Sequence, residues 1–483
     1  MTRRVRTLAA LSIAAHAACA AENRNESGDG TADGGLASIS VSAGSEDGTN
    51  EGTAGPPGDD ASAKLDLASN SSQTSDSGGN PGDCPGSSGG GRGDVEFSTI
   101  WIANSPEGTV SKIDTRTAQE LGRYYTGPSM GADDPSRTSV NLRADVAVAN
   151  RAGGIVKIAA RVESCVDKNG NGNIDTSTAA TDVLAWGEDE CVLWYREILV
   201  SADPPVFEYP NCFAAAGCPH FQGPRPTAWD QGEAGDPCLP DTARVWTGWF
   251  DKATNVGKFW RLSGLDGTTL DEVNIPDFEP GGQTFPHGPY GGAVDGDGAF
   301  WVTGLEGPLY RIDGDTLAVE RWDNPEGTMP YGIALDANGN PWLAGLDGNV
   351  LRFDATTKTW DTPITVGSGG GGAFGDGNLL RGLQIDRNGH AWIASSQPCV
   401  LVQLDTASKT LIRADIPLPG CAEAVGVSID VDGFVWLPDK SANQAYKVDP
   451  MTYDVTTVTG LRGPYTYSDM TGAGLDLVTN PPS

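Results

Sequence analysis

The stretch PYGGAVDGDGAFWVTGLEGPLYRIDGDTLAVERWD, residues 289–323, contains one complete structural unit. Apolar alternation from Pro289 to Val294 stops at an Asp295-x-x-Gly298 turn, and a second run led by Trp301 follows. After a short loop come Leu309–Asp313 and a fourth run ending at Trp322. Period-two alternation interrupted by Asp and Gly is the mark of short antiparallel strands. Successive side chains face opposite sides of a sheet, and tight turns need residues that tolerate unusual backbone angles.

The unit recurs downstream. PYGIALDANGNPWLAGLDGNVLRFDATTKTWDTP (330–363), LRGLQIDRNGHAWIASSQPCVLVQLDTASKTLIRADIP (380–417) and AVGVSIDVDGFVWLPDKSANQAYKVDPMTYDVTTV (424–458) share its plan, with Trp342, Trp392 and Trp436 at the Trp301 position. Upstream, Trp101 and Trp246 lead two more units, and PSRTSVNLRADVAVANRAGGIVKI (135–158) supplies another with Ala147 in place of the tryptophan. Four strands in ~40–50 residues is the period of a propeller blade. The sequence therefore predicts an all-β fold over residues 95–483, a seven-bladed β-propeller of four-stranded antiparallel blades. A solenoid is the structural alternative. The first unit begins at its second strand, so YTYSDMTGAGLDLV after Gly463 is expected to return as the missing inner strand and close the ring.

The N-terminus reads as an export signal over residues 1–20: Arg3, Arg4 and Arg6, then a short apolar stretch ending in small residues. Two cleavage readings stay open. Ala18-Cys19-Ala20 suits ordinary signal peptidase, and Ala17-Ala18-Cys19 matches the end of a lipobox, which makes Cys19 a lipidation candidate. The protein is thus expected outside the cytoplasm, as an outer-membrane or surface lipoprotein or else periplasmic or secreted. Residues 21–94 are nearly all small or polar, too poor in apolar surface to offset the entropy of ordering, and are expected to be a disordered linker. A net charge of −32 repels phosphate backbones, which argues against nucleic-acid binding. Of nine cysteines, eight remain after Cys19, an even number suited to disulfides in an exported chain. Spacing favours Cys165–Cys191 and Cys399–Cys421. The pairing of Cys84, Cys212, Cys218 and Cys238 stays open.

The Pro-Tyr-Gly start and the Asp-x-x-Gly-x-x-Trp core of these units resemble the propeller of the streptogramin B lyases (virginiamycin B lyases), well over about 285–460 and more loosely over 95–284. The chain also resembles acidic, cysteine-containing propeller lipoproteins of myxobacteria. The lyase resemblance implies a metal-dependent enzyme that opens a cyclic depsipeptide by elimination, using histidines and a glutamate on one face of the propeller. This chain has four histidines, and His16 is in the signal. His287 lies near a repeat start, His390 in an inter-strand turn and His220 in a cysteine-rich stretch at about 160–240, so the family's histidine set is not reproduced.

Repeat alignment gathers His287, Tyr290, Tyr331, Arg381 and Glu423 at the mouth of the central funnel, with Arg225 and Asp469 as further candidates. Tyr and Arg offer flat faces and hydrogen-bond donors suited to a glycan, peptide or protein ligand. His287 and Glu423 are the candidate base and acid if the mouth is catalytic. The leading expectation is a monomeric binding module, and the alternative is a metal-dependent lyase or hydrolase. Separately, DKNGNGNIDTST (167–178) resembles an EF-hand or dockerin calcium loop, with Asp167, Asn169, Asn171, Asn173 (by its carbonyl) and Asp175 at oxygen-donor positions and Gly172 at the tight turn. Thr178 stands where the bidentate glutamate belongs, so affinity is expected to fall unless Asp182, Glu188 or another acid reaches in.

Overall fold

The computed structural model describes residues 98–198, 223–232, 242–251, 253–276, 278, 288–305, 307–366 and 378–482. The export signal, Cys19, the linker, His220, His287 and the cysteines at 84, 212, 218 and 238 lie outside the described residues.

Seven antiparallel sheets follow one another along the chain. Blade 1 contains Thr99–Asn104, Thr109–Asp114 and Gln119–Tyr125. Blade 2 contains Pro135–Val140, Val146–Asn150, Ile155–Ile158 and Val192–Arg196. Blade 3 runs through Thr227–Asp230, Arg244–Asp251, Val256–Ser263 and Thr269–Pro276. Blades 4 to 7 begin at Pro289–Val294, Pro330–Leu335, Leu380–Ile385 and Ser428–Ile429 and take the remaining strands in chain order. The inner strands of blades 2 to 7 lie side by side in sequence order. Buried tryptophans, Trp101, Trp246, Trp301, Trp342, Trp392 and Trp436, fill the spaces between sheets, and Ala147 takes their register place in blade 2.

In blades 4 to 7 the turn after the inner strand does two jobs at once. One oxygen of Asp295, Asp336, Asp386 and Asp430 accepts two backbone N–H groups of its own turn. The other accepts the indole N–H of the next strand's tryptophan. Gly298, Gly339, Gly389 and Gly433 close these turns at φ of 76–87°, where a Cβ is disfavoured.

The C-terminal segment closes the ring. Asn104 bridges Pro464, the Tyr465 N–H donates to the Ala103 carbonyl (3.0 Å), and the Trp101 N–H donates to the Met470 carbonyl (2.9 Å). Only the first half of the expected strand behaves this way. Ala473–Thr479 is a helix instead, because the Asp469 carboxylate accepts the N–H groups of Thr471, Gly472, Gly474 and Leu475 and turns the chain there. Leu475, Leu477 and Val478 are buried beneath it.

Within the 160–240 stretch, read from sequence as one insertion, the structure places two propeller strands, Val192–Arg196 and Thr227–Asp230, anchored by buried Trp194 and Trp229. Residues 159–191 are therefore a loop inside blade 2. The bridges Cys165–Cys191 and Cys399–Cys421 are formed, as spacing predicts. No helix among the described residues is long and apolar enough to cross a membrane.

Candidate functional site: the central mouth

The mouth is built at the first residues of the inner strands. Each of those in blades 2, 4, 5 and 6 breaks register at its start, between Pro135 and Arg137, Pro289 and Gly291, Pro330 and Gly332, and Leu380 and Leu383. A bulge of this kind re-aims a side chain out of the pleat, and here it frees Tyr290, Tyr331 and Arg381. The following glycines let neighbouring inner strands close in. A Cβ on Gly332 would stand 2.5 Å from the Arg381 carbonyl oxygen, and one on Gly382 would stand 2.8 Å from the Gly426 Cα.

Tyr290, Tyr331, Tyr465 and Tyr467 meet as one buried cluster. The Tyr465 hydroxyl pairs with those of Tyr331 (2.7 Å) and Tyr290 (3.2 Å). The Tyr467 ring lies 4.8 Å from Tyr331 and 5.4 Å from Tyr290. Cations cover these rings: Arg137 and Arg225 lie over Tyr290 at 5.0 and 5.6 Å, Arg381 over Tyr331 at 5.0 Å, Arg151 over Tyr465 at 4.9 Å and Lys440 over Tyr465 at 5.7 Å. Arg137, 1% exposed, also donates to the Tyr290 and Tyr467 carbonyls at 2.6 and 3.2 Å.

Electrostatics sets the tyrosines apart. Burial pushes the phenols of Tyr331, Tyr465 and Tyr467 above the ordinary value. Burial acts on Tyr290 in the same sense, but Arg137 and Arg225 outweigh it and hold that phenol below the ordinary value. Burial lowers the pKa of Arg225. Glu423 sits between cations, 3.6 Å from Arg381 and 3.5 Å from Lys440, and accepts the Ser441 hydroxyl at 2.7 Å.

Of the mouth residues expected from sequence, the structure brings Tyr290, Tyr331, Arg381, Glu423 and Arg225 together. Asp469 is not with them. It caps the C-terminal helix and lines a 40 Å³ cavity at the far ends of the inner strands, beside Gln384 and Leu475. His390 begins a second strand, with Nδ1 3.4 Å from the Asp386 carboxylate, at the end of the blade away from the tyrosines. Sequence reasoning missed Arg137, Arg151, Lys440, Tyr465 and Tyr467. For Tyr465 a signal existed, since Pro464-Tyr465 echoes Pro289-Tyr290 and Pro330-Tyr331.

The 167–178 loop is compact. The Asp167 carboxylate accepts the N–H groups of Gly170, Asn171 and Gly172. Asp175 accepts the side-chain amides of Asn169 and Asn171 at 2.8 and 2.9 Å. Thr178 bonds Asp182 (2.6 Å). The loop's base is held by a residue that the motif does not include: buried Glu190 accepts the N–H groups of Lys168, Asn169 and Asp175. Asp167, Asn169, Asn171 and Asp175 carry the oxygens a hard cation takes, and here those of Asn169 and Asn171 accept the backbone N–H groups of Asn171 and Asn173. Elsewhere Cys399, Cys421 and Asp439 lie close together, but the two sulfurs are bonded to each other and are not free thiolates.

No protein-family model and no curated protein matches this sequence. Solved structures do. A Lactobacillus plantarum protein superposes with a TM-score of 0.50 at 10% identity, covering 76% of this chain and 98% of its own. A streptogramin B lyase structure gives a TM-score of 0.43 at 14% identity over 68% of this chain and 83% of its own. An inactive variant of virginiamycin B lyase from Staphylococcus aureus, with quinupristin, gives 0.43 at 15% identity over 67% and 84%. At such identities the likeness is one of fold. It says nothing of chemistry.

Proposed function

We propose that the protein is an exported propeller, tethered to the membrane through Cys19, whose mouth binds a glycan, peptide or protein partner without transforming it. The observation that carries this reading is the setting of Glu423. Its carboxylate is already engaged by Arg381, Lys440 and Ser441, which leaves it poorly placed to exchange a proton with a ligand as the catalytic acid. The buried tyrosine and arginine planes beneath it are locked by their own contacts, so they hold Arg381, Glu423 and Lys440 in place for a ligand, which lowers the ordering cost of binding.

The test is to screen the full chain on glycan and peptide arrays beside Arg381→Ala and Tyr331→Ala. Spots captured by the wild type and lost by both variants support the mouth as the binding surface. Spots that both variants keep would place binding elsewhere. For catalysis the probe is quinupristin with Mg2+, followed by chromatography, since elimination gives an isomer of unchanged mass. The reading predicts recovery of the intact ring, and a linear product that Glu423→Gln abolishes would overturn it.

The loop 167–178 is the proposed seat of a structural calcium ion, with Asp167, Asn169, Asn171 and Asp175 as side-chain donors and Asn173 through its carbonyl. An ion bound only by the folded state stabilises it by mass action. Chelator is expected to lower the melting temperature by about 2–4 °C, and Asp167→Ala to remove that sensitivity. A melting curve indifferent to chelator would remove the ion from the account.

A further inference from the structure

Away from the mouth, a cleft of 1020 Å³ opens between the outer strand of blade 2 and the second and third strands of blade 3. Its size lies at the top of the ~300–1,000 Å³ range of small-molecule sites. We infer that this cleft is a second binding site, for a neutral oligosaccharide.

The walls are aromatic and fixed. Trp249 and Trp260 meet edge-to-face, centroids 4.8 Å apart at 82°, and form a right-angled corner. Trp249 is buried, whereas Trp260 remains partly open. On the facing strand the Tyr195 hydroxyl donates to the Gly153 carbonyl (3.0 Å), and its ring packs edge-on against Trp186. Gly154 makes room for that hydroxyl, because a Cβ there would stand 2.2 Å from it. Trp260 packs its inner side on the core and keeps part of its ring on the cleft, and flat apolar faces of this kind suit the C–H faces of sugar rings.

The polar groups are arranged in balance. The Arg196 guanidinium lies 5.1 Å over the Trp260 ring and covers part of that face, and its Nη2 donates to the Thr269 hydroxyl at 3.4 Å, which leaves its remaining N–H groups for a ligand at the rim of the indole. Lys258 and Asp251 form an ion pair at 2.8 Å on the opposite wall, so that side offers both donors and acceptors. With Glu197, the lining carries two cations and two anions in a chain of net charge −32. Nothing in the cleft calls for a charged ligand, and the overall field repels polyanions. A ligand rich in hydroxyls, each able to donate and accept, fits such a mixture.

Isothermal titration of the full chain with cellohexaose, xylohexaose, mannohexaose and chitohexaose tests the inference. At least one is expected to bind, and Trp260→Ala is expected to weaken it about tenfold or more. Arg196→Ala changes only an exposed side chain and guards against a folding artefact; it is expected to weaken the same ligand. Failure of every hexaose to bind overturns the inference, as does binding that both variants keep. Loss of binding on Arg381→Ala, with Trp260→Ala unaffected, would move the sugar to the mouth and equally overturn it.

Discussion

In blades 4 to 7 the second-strand tryptophan donates to the aspartate of the preceding turn at 2.8–3.1 Å. In blades 1 to 3 that bond is missing. Trp101 donates to the Ala144 carbonyl of the next blade, Ala147 has no indole, and the Trp246 indole N–H has no acceptor among the described residues. Yet both groups bury their strands equally well. The hydrogen-bonded staple is therefore one solution to ordering a blade and not a requirement of the propeller. Radial packing of apolar strands does the common work. Each group carries one disulfide, Cys165–Cys191 or Cys399–Cys421, and blade 1 adds the strap from the C-terminus.

Four perturbations press on this difference, from the largest expected effect to the smallest. Trp342→Ala should cost about 3–5 kcal/mol in denaturant unfolding, because it opens a cavity between two blades and leaves Asp336 without its indole donor. Replacing Cys399 and Cys421 by Ser should cost about 3 kcal/mol from the 22-residue separation they close. A pair of milder changes isolates the staple. Trp342→Phe should cost about 1 kcal/mol more than Trp246→Phe, because only the first removes a hydrogen bond to a buried carboxylate, whose Oδ2 keeps the Asn340 side-chain amide at 3.1 Å. Equal costs would show that the bond contributes nothing beyond packing.

The smallest effect concerns the strap. Burial raises the pKa of Asp469 above its ordinary 3.8. A carboxyl raised on folding contributes stability that is present below its unfolded value and lost as pH rises through its folded value. The stability of the wild type relative to Asp469→Asn should therefore fall as pH climbs from below 3.8 into the raised range. A gap that widened in favour of the wild type over that interval would reverse the sign of this argument.

Much of the fold is legible because blades 4 to 7 repeat a pattern in which each residue has a mechanical role, with Asp for the turn, Gly for its positive φ and Trp for the gap between sheets. Blade 2 is readable even without its tryptophan, since alternation persists around Ala147. The site is less legible. Tyr290, Tyr331 and Arg381 occupy repeat positions and can be aligned, whereas Arg137 lies just beyond a bulge that shifts it out of register. Tyr467 and Arg151 approach from a strap and a turn whose course depends on how the ring closes. Glu190 escapes notice because it serves the 167–178 loop from well outside the motif. The C-terminal helix is hidden for a similar reason: its apolar residues fit a strand pattern until Asp469 captures the backbone N–H groups.

The mouth depends on ring closure, because Tyr465 and Tyr467 arrive on the closing segment. Native-state hydrogen exchange of peptides spanning 99–104 and 464–470 tests this most directly. The account predicts that both exchange together, at the slow rate of the neighbouring strand Thr109–Asp114. Exchange of 464–470 orders of magnitude faster than that strand, with the Trp101 and Ala103 amides that face it equally unprotected, would mean that the ring is open and the tyrosine mouth is not assembled in advance.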